Sequence, residues 1–189
     1  LGGGMANTFL LAQGMQIGAS LAEPDMVAKA RAIMAKADAH GCRIILPTDL
    51  VVATAFAANA SHRVTGGHDI ADDEMILDAG PQSIASVTAF LRECQTIVWN
   101  GPMGAFELKP FDAATNAVAR AVARLTQDQQ VMSVAGGGDT MAALANAGVN
   151  DHFSYVSTAG GAFLEWLEGK TLPGVDALQQ RQANSACCG

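Results

Sequence analysis

The 189-residue chain carries 18 acidic against 11 basic side chains, a net charge of −7, and half of its residues are hydrophobic. With no Lys/Arg cluster to offset it, that balance argues against nucleic acid or an anionic membrane surface as a partner. No apolar run reaches the roughly 18 residues of a membrane span, and the length suits one domain with a substantial core. Cys42, Cys94, Cys187 and Cys188 show no metal-knuckle or disulfide spacing, so a reduced, cytoplasmic setting is expected.

The chain opens on Gly2-Gly3-Gly4, and Met5 to Gln13 reads as a helix stopped by Gly14. Those glycines are expected to end a strand whose body is cut away. Pro24 to His40 reads as an amphipathic helix, with proline in its first turn and Gly41 just past its end. Arg43-Ile44-Ile45-Leu46 reads as a strand running into Pro47-Thr48-Asp49, and Leu50 to Ala55 as another. Ser61 to Glu74 is polar, with Asp69, Asp72, Asp73 and Glu74, and reads as a solvated loop or small hairpin without convergent metal ligands. Met75 to Pro81 leads into a helix ending near Cys94. Thr96-Ile97-Val98-Trp99 is a strand followed by the loop Asn100–Glu107, and Asp112 to Leu125 is a helix.

The most informative stretch follows. Val131 to Ala135 reads as a buried strand, ends in Gly136-Gly137-Gly138, and passes through Asp139-Thr140 into a helix from Met141 to Ala147. Glycines leave backbone N–H groups uncovered at a helix N-terminus, where the dipole favours a phosphate. Asp139 adds a carboxylate suited to Mg²⁺ bridging to that phosphate, and Thr140 can cap the helix or donate to a phosphate oxygen. An ordinary strand-to-helix turn capped by Asp139 fits the same residues. Finally Phe153 to Val156 leads into Ser157-Thr158-Ala159-Gly160-Gly161, and Ala162 to Leu167 reads as helix.

Strand, glycine-containing loop and helix therefore recur. The expected fold is α/β, a doubly wound, mostly parallel sheet in a Rossmann-like three-layer arrangement, with its first strand or strands truncated. Right-handed crossovers gather the loops at the carboxyl edge of such a sheet, forming a broad site for a polyphosphate ligand. No G-x-G-x-x-G with a following acidic residue occurs, and no G-x-S-x-G. Gly169-Lys170-Thr171 follows a helix and lacks the first glycine of a P-loop. His40, His62, His68 and His152 are scattered and read as surface or capping residues.

At this point the chain resembles the phosphoglycerate kinase family, specifically its C-terminal, nucleotide-binding half. The resemblance is carried in family order by Gly2–Leu10, Leu46-Pro47-Thr48-Asp49, Leu77-Asp78-Ala79-Gly80-Pro81, Val98–Glu107, Gly136–Thr140 and Ser157–Lys170 with Leu172-Pro173-Gly174. It implies an incomplete nucleotide-binding domain over residues 1–178 and an unmatched, disordered tail over 179–189. It also implies phosphoryl transfer between 1,3-bisphosphoglycerate and Mg-ADP, giving 3-phosphoglycerate and Mg-ATP, in a cytoplasmic monomer. By position, the resemblance implies that Gly3 and Gly4 form adenine-pocket backbone and Leu77 an apolar wall. Asn100 and Pro102 then line the nucleotide site, and Glu107 accepts hydrogen bonds from the ribose. Gly137, Gly138 and Thr140 hold the phosphates, Asp139 ligates Mg²⁺, and Gly138, Gly160 and Gly161 face the phosphoryl group in transfer. Trp99 and Phe106 read as packing, and Glu165, Glu168 and Lys170 as a solvated helix end.

Two mild departures stand at Ala79 and Ala159, where the family usually has other residues. Neither the Gly136–Thr140 loop nor the Ser157–Gly161 loop contains Lys or Arg. Phosphoryl transfer needs positive charge on the equatorial oxygens. The resemblance places the catalytic lysines and the triose-phosphate site outside this chain, which is then expected to bind nucleotide weakly and turn over little. A non-catalytic nucleotide-binding module, an inert truncated remnant and a Rossmann dehydrogenase are the alternatives.

Overall fold

The structure is a computed structural model that describes residues 1–157, 161, 162, 165, 168–173 and 176. The first helix, α1 (Gly3–Ala12), begins inside the glycine run rather than at Met5. Gly3 adopts φ +60 at this start, a conformation that costs an L side chain dearly and glycine nothing. A short 3₁₀ turn at Pro24–Met26 then feeds α2 (Val27–Ala39), close to the expected span.

Two sheets follow. The first is antiparallel in the order β2-β1-β3, with β1 Leu50–Ala53, β2 His62–Thr65 and β3 Met75–Ala79. The sequence reading anticipated β1 and a hairpin-like polar stretch, but not that the two would pair. Arg63 on β2 explains the acidic residues there: its guanidinium contacts Glu74 at 2.6 Å and Asp69 at 3.0 Å. Arg43–Leu46, expected as a strand, joins no ladder among the described residues. An apolar run becomes a strand only when a neighbouring backbone takes its hydrogen bonds. Here Ile45 O accepts one, from the Leu1 amino group at 2.8 Å.

The second sheet is parallel, in the order β4-β5-β6, with β4 Thr96–Asn100, β5 Met132–Gly136 and β6 Tyr155–Ser157. Helices α3 (Pro81–Leu91), α4 (Ala113–Gln127) and α5 (Gly138–Ala147) precede or connect its strands. Helix α4 buries Ala114, Val118, Val122 and Leu125, one face at helical spacing. That face meets Ile97 and Trp99 of β4, Ala135 of β5 and Leu144 of α5 in the largest core cluster. A second cluster joins Leu10 of α1 to Leu50, Val52 and Ile70. This is the expected α/β fold with a parallel sheet, to which the structure adds the antiparallel layer. Among the described residues, no helix is long and apolar enough to cross a membrane.

The motif Leu46-Pro47-Thr48-Asp49 acts in the fold rather than at a surface. Asp49 is 4% exposed, and its carboxylate accepts hydrogen bonds from the backbone of Gln82 at 2.9 Å and of Ser83 at 2.7 Å. The Ser83 hydroxyl also donates to it, at 2.6 Å. It therefore caps α3 from the segment just before β1 and complements the dipole. A side chain at Gly80 would overlap the Asp49 carboxylate, so the residue between strand and helix is glycine by necessity. Burial alone would raise the Asp49 carboxyl, but Ser83 and the two N–H groups outweigh it and hold it below the ordinary value. The stability this contributes is present above the unfolded-state pKa and is lost as pH falls through the lower folded value. Asp49→Ala strands those N–H groups in a dry interior and is expected to cost about 2–3 kcal/mol in urea denaturation at pH 7, with a smaller cost near pH 3.

Candidate functional site

The site is built where the start of α1, the end of β3 and the loop after β4 converge. Gly3 N–H donates to Met103 O at 2.8 Å, and Met103 N–H donates to the hydroxyl of Thr115 on α4 at 3.0 Å. Ala105 N–H donates to Leu77 O at 2.8 Å, stitching the loop to β3. A Cβ on Gly2 would lie 2.7 Å from Met103 Cα, and one on Gly104 would overlap Asp78 Oδ1. Backbone thus packs directly on backbone, which only glycine permits.

These elements enclose a cavity of about 490 Å³, lined among others by Gly3, Gly4, Leu77, Asn100 and Pro102. Five of the residues singled out by sequence are thereby brought together. Leu77 serves twice: it is 7% exposed, packs with Ala53 and Phe111 in a core cluster, and shows an edge to the cavity. The sequence reading missed Leu21, Phe56 and Met75, which also line it. Leu21 is 79% exposed and Phe56 62% exposed, unusual for large apolar side chains beside a cavity of this size. No local motif surrounds either one; only their exposure together with their position identifies them.

The second part of the site lies at the N-terminus of α5. Gly137 caps the helix with φ 99 and ψ 149, a conformation reserved for glycine, and Gly138 opens it with nothing near the position of a Cβ. Asp139 stands exposed in the first turn and makes no hydrogen bond or ion pair among the described residues. Thr140 takes a role the sequence did not suggest. It is 2% exposed and makes no cap; its Oγ1 accepts the Gly101 N–H at 2.7 Å. That bond ties the phosphate-like turn to the cavity loop, while the hydroxyl proton stays available to a ligand. A Cβ at Gly137 would sit 3.6 Å from Asn100 Oδ1, so Asn100 faces both parts.

Glu107 is exposed, two residues beyond the last cavity-lining position, Ala105. Gly161 is exposed and lines no part of the cavity, whereas Gly160 and the 179–189 tail lie outside the described residues. Among the described residues no group of three or more His, Cys, Asp or Glu side chains converges on a metal-sized point.

Among the described residues the cavity wall holds one ionisable group, Asp78, which is 2% exposed. Its Oδ1 accepts Ala79 N–H and its Oδ2 accepts Ala114 N–H, each at 2.9 Å. Burial pushes its carboxyl up to about 7; the two N–H donors oppose this and the nearby Asp112 adds to it.

Glycine turns and a helix N-terminus gathered at the carboxyl ends of a parallel sheet mark the molecule as a Rossmann-like α/β protein. Residues 1–170 match the family model of phosphoglycerate kinase. The chain belongs to the phosphoglycerate kinase family. It is 62% identical over 180 residues to the phosphoglycerate kinase of Xanthobacter flavus, covering 95% of this chain and 45% of that protein. To that of Rhodospirillum centenum it is 65% identical over 178 residues, covering 94% and 45%. The solved phosphoglycerate kinase of Coxiella burnetii superposes with a TM-score of 0.89 at 44% identity, over 95% of this chain and 45% of that one. The Pyrococcus horikoshii structure does so at 0.75 and 28% identity, over 94% and 44%. The chain thus spans less than half the length of these relatives, whose shared name makes the family one of kinases.

Two outcomes follow from the geometry. Thr140→Val removes the acceptor for Gly101 N–H and is expected to cost about 1–2 kcal/mol and to speed hydrogen exchange at the Gly101 amide, with Thr140→Ser restoring both. For Asp78, the folded pKa lies above the unfolded one, so the native state holds a proton longer and its stability contribution is present at low pH. Denaturation midpoints should fall between pH 3.8 and about 7, and Asp78→Asn should flatten that slope.

Proposed function

We propose that this chain is the C-terminal, nucleotide-holding part of a phosphoglycerate kinase, binding Mg-ADP and Mg-ATP for phosphoryl exchange with 1,3-bisphosphoglycerate and 3-phosphoglycerate. The observation that supports it is the Gly101–Thr140 hydrogen bond at 2.7 Å, which joins an apolar slot to an open helix N-terminus. A nucleotide has the same division, a flat apolar-faced base and a polyanionic tail.

In this reading adenine enters between Leu21, Phe56 and Leu77, above the bare backbone of Gly3 and Gly4. Asn100 and Pro102 flank the middle of the nucleotide, and Glu107 accepts from the ribose hydroxyls. The N–H groups at Gly137, Gly138 and Asp139 face the phosphates with the positive end of the α5 dipole. Asp139 fits Mg²⁺: it is exposed and unengaged among the described residues, and Mg²⁺ is commonly held by one or two carboxylates plus phosphates and water. Held by Asp139, the metal would supply positive charge to offset the charge developing in transfer. Gly138, Gly160 and Gly161 are assigned to the phosphoryl group itself.

Among the described residues no Lys or Arg lines the cavity. The cationic groups that neutralise the transferring phosphoryl, and those that hold the triose phosphate, are therefore assigned to residues outside this chain, brought close by a hinge that excludes water. Calorimetric titration with Mg-ADP tests the reading. Binding is expected to weaken about tenfold or more in Asp139→Ala or on removing Mg²⁺, with Asp139→Asn intermediate. Failure of a folded chain to bind any nucleotide would overturn it. In a coupled assay the chain alone should show negligible turnover; full activity would refute the assignment of the cationic groups elsewhere.

A further inference from the structure

Among the described residues Asp78 is the one buried ionisable side chain in the cavity wall, and the reading above gives it no task. Its position is singular. It sits on β3 next to Leu77, it takes the N–H of Ala114 in the first turn of α4, and its Oδ1 lies where a Gly104 side chain would be. Helix α4 in turn presents the Thr115 hydroxyl, 0% exposed, to Met103 N–H, and Met103 O receives Gly3 N–H. A continuous chain of hydrogen bonds thus runs from the Asp78 carboxylate through the start of α4 to the backbone at the cavity floor.

We propose that Asp78 is a positioning residue of the nucleoside cavity: its negative charge draws the N-terminus of α4 and the Gly101–Ala105 loop onto β3, and losing that charge loosens the wall against which a purine nucleoside presses. The inference rests on the nucleotide reading of this cavity and goes further by naming what sets its shape.

Ionising Asp78 costs the fold overall stability through burial, but hydrogen bonds to an ionised carboxylate are roughly twice as strong as those to a neutral group, so the charged form holds these particular contacts more tightly. A protonated Asp78 also turns one of its two oxygens into a hydroxyl, which accepts poorly. The surroundings offer no other charge to take over. Helix α1 carries no ionisable side chain, and neither does the loop Asn100–Ala105. Just before β1, Asp49 is committed to α3. The N-terminal end of α4 contributes Asp112, which repels Asp78 and is itself held by the Asn116 amide at 2.8 Å, while Arg120 and Arg124 lie in the later turns of the helix. Burial and Asp112 together move the proton equilibrium to about 7, so the change falls in an accessible range. A ligand removes little further water from a group already 2% exposed, so wall position governs its response.

The test is calorimetric titration of the full chain with adenosine from pH 6 to pH 8.5, because adenosine has no phosphate to titrate in that window. Affinity is expected to fall about tenfold as pH drops through 7, and Asp78→Asn should bind at the weak, low-pH level at every pH. In parallel, the amide resonances of Ala114 and Met103 in the unsubstituted chain should titrate together with the affinity, a readout that survives if the variant does not fold. Adenosine affinity that is flat across the range, or tighter at low pH, overturns the inference and leaves the nucleotide reading standing. Retention of the full pH profile by Asp78→Asn does the same. Failure of the folded chain to bind adenosine at any pH overturns this inference; only failure to bind Mg-ADP as well overturns the nucleotide reading.

Discussion

Asp49 immediately precedes β1 and Asp78 lies on the adjoining β3, where Leu50 pairs with Ala79 and Val51 with Asp78. Each reaches the N-terminus of a different helix, Asp49 that of α3 and Asp78 that of α4. Both place negative charge where the helix dipole favours it and satisfy N–H groups that a helix start otherwise leaves open. Helix α4 carries much of the core of the parallel sheet and Val87 and Leu91 of α3 pack against it, so the two carboxylates join one sheet to the other. Their environments differ. Asp49 has a hydroxyl and two N–H groups and stays easily ionised, whereas Asp78 has two N–H groups, an apolar cavity and a like-charged neighbour. The same geometric task is therefore sensitive to pH in one place and robust in the other.

The cavity depends on this clamp because part of its wall is backbone. Gly3, Met103 and Ala105 are positioned by main-chain hydrogen bonds to neighbouring segments. Glycine at positions 2, 80 and 104 lets those segments approach at distances no side chain allows. A backbone surface has no rotamers to adjust, so its shape follows the elements beneath it. Any shift of α4 is passed through Thr115 to Met103, and the strand–turn–helix around Gly137 is coupled to the same loop through Gly101 and Thr140.

In the proposed reading this coupling keeps base and phosphates in register, since an apolar slot orients one end of the ligand and a helix N-terminus attracts the other. The site so formed is strong in positioning and poor in positive charge. Phosphoryl transfer draws on both, through groups that hold the reactants in line and through cations that meet the developing charge. Membership of the phosphoglycerate kinase family, together with a span of 45% of the curated relatives' length, fits a chain that contributes the first of these.

Much of the organisation was legible in the chain itself. The strand–Gly-Gly-Gly–Asp–Thr–helix unit, the helix over Pro24–His40 and the strand at Thr96–Trp99 are local patterns of period, capping and glycine placement, and local patterns survive in a one-dimensional string. The grouping of Gly3, Gly4, Leu77, Asn100 and Pro102 was likewise implied by ordered motifs. Pairing was not legible: Arg43–Leu46 has the composition of a strand but lacks a ladder partner among the described residues, while polar His62–Thr65 finds one in β1. Nor were the roles of Asp49, Asp78 and Thr140, whose partners lie 34, 36 and 39 residues away. Leu21 and Phe56 gave no signal either, because an exposed apolar side chain acquires meaning only from the cavity beside it. The sequence by itself determined the helices, the core strands near Leu50, Thr96 and Val131, and which loops leave backbone bare. Only the tertiary structure decided which buried carboxylate meets which helix, because hydrogen bonding and burial depend on proximity in space, which spacing along the chain does not encode.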